Sequence, residues 1–184
     1  METKNTKIRT SDIVLCALFA AIIAVSAQVQ IPLFNMVPIT LQTFGVVLCA
    51  AVGGSVTGTV STALYVLIGA VGVPVYAGMK GGFSVLFGPT GGFIFGFIVM
   101  AFFCGIQAKN IWQRLGFSLI GLAVCYLCGA LQYSIVMQKD FITSLTLVVV
   151  PFIVKDVLSL IAAQYMAIPI RRAVSHFGNG KNAG

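Results

Sequence analysis

Gly72-Val-Pro-Val-Tyr-Ala-Gly-Met-Lys-Gly-Gly-Phe-Ser-Val-Leu-Phe-Gly-Pro-Thr-Gly-Gly92 is too apolar for a linker and too interrupted for a helix. Gly72, Gly78, Gly81, Gly82 and Gly88 can take positive φ, and Pro74 and Pro89 withhold backbone donors. Long apolar runs flank the stretch on both sides. In a membrane protein such non-helical backbone must be buried in protein or line a cavity, because hydrocarbon offers it no hydrogen-bond partner. The stretch is therefore expected to wall a small-molecule site, with helices holding it in place.

The whole chain supports a membrane setting. Of its 184 residues 59% are hydrophobic and 8% charged, a balance no soluble domain of this size keeps in solution. The apolar run from Ser11 to Ala27 continues into further apolar segments, which argues against a cleaved signal peptide. Segments of roughly 20 apolar residues cross a bilayer, and they are expected near 12–29, 38–53, 55–72, 89–107, 114–136 and 145–170. The predicted fold is a single all-α integral membrane domain over 1–184 with six transmembrane helices. The Gly-rich binding loop lies between helices 3 and 4, with a polar N-terminus at 1–11 and a disordered tail from about 175 to 184. Pro151 either kinks the last span or starts it.

The net charge of +7 is judged by the side of the bilayer that each cation flanks, not as a nucleic-acid signal. With both termini cytoplasmic, Lys4, Lys7, Arg9, Lys109, Arg114, Arg171, Arg172 and Lys181 lie inside, and only Lys80 and Lys139 outside. The Gly72–Gly88 loop then opens outward, as does the Gln30–Val37 connection. The five cysteines all fall in apolar segments, so Cys125-x-x-Cys128 reads as packing and not as a redox or metal half-site.

Polar groups inside such spans carry the functional signal. Asp156 is the one acidic residue within an apolar span, next to Lys155. A charge there costs roughly 2.5–3.5 kcal/mol on insertion scales, so the two residues form an internal ion pair or contact a substrate. Gln42 needs partners for an amide donor and acceptor near the outer face, whereas Thr40 and Thr43 can bond their own backbone. Gly88-Pro-Thr90-Gly91-Gly92 either aims helix N–H groups at the site or is a tight turn that lets helix four pack against helix three. Tyr126, Gln132 and Tyr133 offer flat walls with polar tips. The spacings Ala17/Ala21 and Ala20/Ala24 leave a small-residue strip, for internal packing or for a partner subunit. His176 lies in the tail and is expected to be inert.

Taken together, Val37-Pro-Ile-Thr-Leu-Gln-Thr43, Gly69-Ala-Val-Gly-Val-Pro-Val75, Gly81-Gly82, Gly88-Pro-Thr-Gly-Gly92 and Pro151-Phe152 with Asp156 resemble the BioY proteins, biotin-binding S components of energy-coupling factor (ECF) vitamin transporters. The resemblance covers nearly the whole chain. It implies six helices in the cytoplasmic membrane of a prokaryote, an outward-facing biotin site, and docking of helix one, through Ala17, Ala20, Ala21 and Ala24, on a transmembrane coupling subunit. Two cytoplasmic ATPases bound to that subunit supply the energy. No nucleotide-binding motif, cofactor, metal or nucleic-acid partner is expected in this chain. The substrate contacts implied are Asp156, Lys155, Gln42, Thr43, Gly78, Lys80, Gly88, Thr90, Gly91, Gly92 and Tyr133. The sequence departs from the family where Ser159 stands in place of a Lys one turn beyond the aspartate, which leaves the biotin carboxylate to Lys155, to Lys80 or to neither. The Trp common on the family's fifth helix is also absent, with Gln132-Tyr133 near its place. An enzyme is disfavoured by the lack of a zinc-binding His pair, a second intramembrane carboxylate or a Ser–His dyad. A stand-alone proton-coupled transporter of biotin, a precursor or another vitamin is the alternative.

Overall fold

Gly54 folds a 29-residue apolar helix back on itself. A computed structural model of the protein describes residues 10–32 and 37–179, with side chains through 173. Lys4, Lys7, Arg9, Lys181, the side chain of His176 and residues 180–184 of the tail lie outside the described residues. The helices are α1 (Thr10–Gln28), α2 (Gln42–Ala70), α3 (Phe83–Leu86), α4 (Gly91–Cys104), α5 (Ile111–Met137), α6 (Phe141–Val148) and α7 (Val150–Asn179). One two-stranded antiparallel ribbon pairs β1 (Gln30–Ile31) with β2 (Ile39–Thr40).

Within α2, Gly54 has φ 86 and ψ 173, a conformation open to glycine and strained for any L side chain. The two arms then run side by side. A Cβ on Gly58 would stand 2.6 Å from Ala50 Cα, and Gln42 Nε2 reaches Tyr65 Oη at 3.0 Å, a separation impossible in a straight helix. Thr59, Ser61 and Thr62 donate to the backbone carbonyls of Ser55, Thr57 and Gly58, as expected of hydroxyls in a membrane helix. This hairpin is the centre of the molecule and packs against α1, α4 and α7. Gly105 closes the contact at the reversal, its missing Cβ leaving room for the backbone of Gly54 and Ser55.

The surface is apolar, with Leu67, Leu127, Ile135 and Val154 each more than half exposed, while Gln42, Thr62, Ser118, Asp156 and Gln164 are buried. Water would reverse that arrangement, and lipid permits it. Among the described residues four helices, α1, α2, α5 and α7, are long and apolar enough to cross a membrane, and α4 is a shorter apolar helix.

Several boundaries differ from those expected. Residues 38–41 are not helical, because Ile39–Thr40 pairs with Gln30–Ile31. The expected 145–170 span is divided. Asp140 caps α6 by accepting from Ile142 N and Thr143 N, and α7 starts at Val150 with Pro151 in its first turn, where no backbone donor is needed. Helical backbone continues to Asn179, through the first part of the expected tail.

Candidate functional site

A cavity of about 260 Å³ lies between the α2 hairpin, α4, α5, α7, the β ribbon and the Gly72–Gly88 loop. Its polar floor is made by α7. Lys155 Nζ forms an ion pair with Asp156 Oδ1 and donates to Thr40 O at 2.7 Å. Tyr126 Oη, from α5, donates to Asp156 Oδ2 at 2.8 Å. Asp156 is 4% exposed, with the Lys155 ammonium against Oδ1 and the Tyr126 hydroxyl on Oδ2. Each carboxylate oxygen thus has one partner and a lone pair to spare, and the group lines the cavity beside Tyr126. Lys155 and Asp156 both line the cavity while pairing with each other, which joins the two readings that adjacent helix positions had set apart.

The walls are mainly apolar. Phe93 and Phe97 from α4, Leu122 from α5, and Val148 and Phe152 around the start of α7 enclose one side. Gln42 and Thr43 approach from the first turn of α2; one N–H of the Gln42 amide is committed to Tyr65, leaving another N–H and a carbonyl for the cavity. Ala77, Gly78 and exposed Lys80 come from the loop.

The loop keeps its shape through a few fixed points. Tyr76 and Lys80 pair antiparallel, with Gly78 at φ 75 and Met79 at φ 56 between them. Tyr76 Oη donates to Val66 O at 2.7 Å, and its ring lies edge-on to Tyr65 and fills the space left by Gly69. Burial pushes the Tyr76 phenol up to about 12, so it stays a donor. Gly82 N donates to Gly69 O at 2.7 Å, and Gln132 Nε2 from α5 holds Leu86 O and Gly88 O at 2.6 and 2.8 Å.

The structure brings Asp156, Lys155, Gln42, Thr43, Gly78, Lys80 and Thr90 to the cavity. It does not bring Gly88, Gly91, Gly92 or Tyr133 there. Gly91 N donates to Gly88 O, and Cβ atoms on Gly91 and Gly92 would collide with Leu86 O and Cys128 O. The Gly88–Gly92 segment is therefore a close-packing turn, seated against Leu86 and α5 at the start of a helix that packs on both α2 and α5. Tyr133 is 2% exposed in a cluster with Val37, Val148 and Phe152, one layer behind the cavity wall. Ser159 is buried and does not line the cavity. Cys125 and Cys128 are free thiols. On α1, Ala17 and Ala21 are exposed, whereas Ala20 is 3% exposed and packs into the core, so Ala20 is unavailable to a partner. Ala24 is half-buried.

Sequence reasoning assigned Tyr126 no pairing, offering it only as a wall, and passed over Gln28, whose side chain binds the loop. An amide at the end of an apolar span was the available signal, the same one that singled out Gln42.

Residues 1–176 match the model of the BioY family. Over 165 residues the chain is 38% identical to the biotin transporter BioY of Thermotoga maritima, covering 88% of this chain and 96% of that protein. It is 35% identical over 178 residues to the biotin transporter BioY2 of Lactococcus lactis, covering 94% and 96%. The fold is similar to that in the crystal structure of the S-component for biotin from an ECF-type ABC transporter, with a TM-score of 0.81, 25% identity, and coverage of 94% of this chain and 95% of that one.

Proposed function

The chain belongs to the BioY family, and from that premise we propose that it is the biotin-binding subunit of an ECF-type uptake system in a prokaryotic cytoplasmic membrane. It captures biotin from outside and catalyses no reaction itself. The observation that carries the reading is the Asp156 carboxylate, buried at the cavity, ion-paired to Lys155 and bonded by Tyr126, with acceptor lone pairs left over for a ligand. Biotin's ureido ring offers two N–H donors and a carbonyl, and a carboxylate accepts such donors more strongly than a neutral oxygen does. The phenylalanine and leucine walls suit its sulfur ring. Lys80, exposed at the cavity, is the cation left for the tail carboxylate, since Lys155 is already engaged by Asp156 and Thr40.

In this reading the two arms of α2 cross separately, so α1, both arms, α4, α5 and α7 make six passes. The cations Arg114 and Arg171, which bond to Ala108 O and Gln107 Oε1, lie at the Gly54 end of the bundle together with Lys109, and Lys80 lies toward the other. The positive-inside rule then puts the Gly54 end and both termini in the cytoplasm. Calorimetric titration of the purified chain in detergent, with no nucleotide present, should give tight biotin binding. Silence toward biotin alongside binding of thiamine or riboflavin would overturn the assignment.

The partner reading narrows to the outward half of the strip. Ala17 and Ala21 form the face on which a coupling-subunit helix approaches, with that subunit carrying the two ATPases. Ala21→Leu should abolish co-purification with the coupling subunit and leave biotin affinity nearly unchanged, because the added bulk stands on the outer face of α1. Normal assembly of the variant would return the strip to lipid.

A further inference from the structure

The binding loop is fastened at two places of different character. Its base is held by buried groups of α2, through Tyr76 Oη on Val66 O and Gly82 N on Gly69 O. Its tip is held from α1 by one side chain. The two N–H groups of Gln28 Nε2 are shared between Val75 O at 3.1 Å, Tyr76 O at 3.2 Å and Ala24 O of its own helix at 3.2 Å, and Gln28 Oε1 accepts from Met79 N at 3.0 Å. One amide thus satisfies both limbs of a turn whose residues Tyr76, Ala77, Gly78 and Lys80 line the cavity. The Tyr76–Lys80 backbone pair closes the turn, and Met79, at positive φ near its apex, has the partner for its N–H on α1.

Gln28 is also the last residue of α1. At about 100° per residue, Ala17, Ala21, Ala24 and Gln28 fall within roughly 60° of one another on that helix. A helix lying along the exposed alanines therefore runs toward the side chain that holds the loop tip.

We infer that Gln28 is a positioning residue that holds the loop tip over the cavity and sets how fast substrate leaves, on the same face of α1 that carries the exposed alanines. The inference rests on the proposed biotin site and names the element that retains the ligand there. Its consequences are specific to release. Gln28→Leu fills similar space but makes none of the three bonds to the loop. Gln28→Glu keeps the acceptor for Met79 N and, as a carboxylate, loses both donors to Val75 O and Tyr76 O.

The test measures biotin association and dissociation rates on the full chain in detergent, with amide hydrogen exchange read at Met79. Gln28→Leu should dissociate biotin about tenfold faster or more, with a smaller change in association and a melting temperature close to the parent's. Its Met79 amide should lose protection. Gln28→Glu should also release biotin faster while keeping that amide protected, a split that a merely structural role would not produce. Parental dissociation rates in both variants, in a parent that binds biotin, would overturn the inference. Rapid release accompanied by an equal fall in association and in melting temperature would overturn it as well, because Gln28 would then be holding the fold and not the loop. If the parent fails to bind biotin, the proposed site is what fails, while Met79 protection still reports whether Gln28 fixes the loop.

Discussion

Lys155→Met should destabilise the folded protein by about 3–5 kcal/mol, the usual effect of leaving a buried charge without its partner. Asp156 is 4% exposed, and Lys155 is the cation paired with it. The substitution also strips Thr40 O of the donor that ties β2 to α7, so the cavity should loosen as well. A melting curve in detergent and a biotin titration on the same preparation should both fall. Asp156→Asn tests the other partner. It keeps an acceptor for Tyr126 but loses the charge and presents an NH₂ group where the ligand's N–H groups would point. Losing charge-assisted bonds of roughly 1.5–3 kcal/mol each should weaken biotin at least about tenfold. The double variant gives the sharpest reading: with no unpaired charge left, stability should recover relative to Lys155→Met while affinity stays low. If Lys155→Met instead folds normally and loses biotin but not an uncharged tail amide, Lys155 holds the ligand's carboxylate, and the ion pair with Asp156 is secondary. Unchanged biotin affinity in Asp156→Asn would remove the aspartate from the site.

These variants separate what one dimension can reveal from what it cannot. Asp156 stood out because a charge in an apolar span is expensive wherever the span packs, so its presence demands a partner or a ligand. Its pairing with the adjacent Lys155 was one of the readings the sequence allowed, whereas its bond from Tyr126, on α5, depends on how α5 and α7 lie together, which no spacing encodes. The alanine strip shows the same limit. Ala17/Ala21 and Ala20/Ala24 have identical spacing, yet Ala17 faces outward and Ala20 is in the core. In a soluble helix the polar face would tell inside from outside. Here both faces of α1 are apolar, so the pattern marks a helix without marking its buried side. The reversal at Gly54 within α2 falls at the boundary expected between the segments 38–53 and 55–72, whereas the division of the last expected span depended on a cap at Asp140 and on Pro151 starting a helix.

Gly91 and Gly92 are the residues whose role changed most between sequence and structure, and one substitution decides between the two roles. A Cβ on Gly92 would stand 2.2 Å from the carbonyl oxygen of Cys128, and one on Gly91 would stand 1.8 Å from Leu86 O and 2.5 Å from Gln132 Nε2. Backbone oxygens in helix and turn have no alternative rotamer, so the helices must separate. Gly96 repeats the pattern one turn on, 2.8 Å from Cys125 Cα, which makes the α4–α5 contact a row of glycines set against bare backbone. Gly92→Ala should therefore destabilise the protein by about 3 kcal/mol or more, at or beyond the upper end of ordinary overpacking. Gly116→Ala, on α5 with nothing within 4 Å of its Cβ, is the control. It should be neutral or gain about 0.5–1 kcal/mol from the better helix former. Displacing α4 also carries Phe93 and Phe97 away from the cavity, so biotin affinity in Gly92→Ala should decline together with the melting temperature. A variant that melts like the parent but has lost biotin would reverse the assignment, giving these glycines back to the ligand as backbone donors at the start of α4.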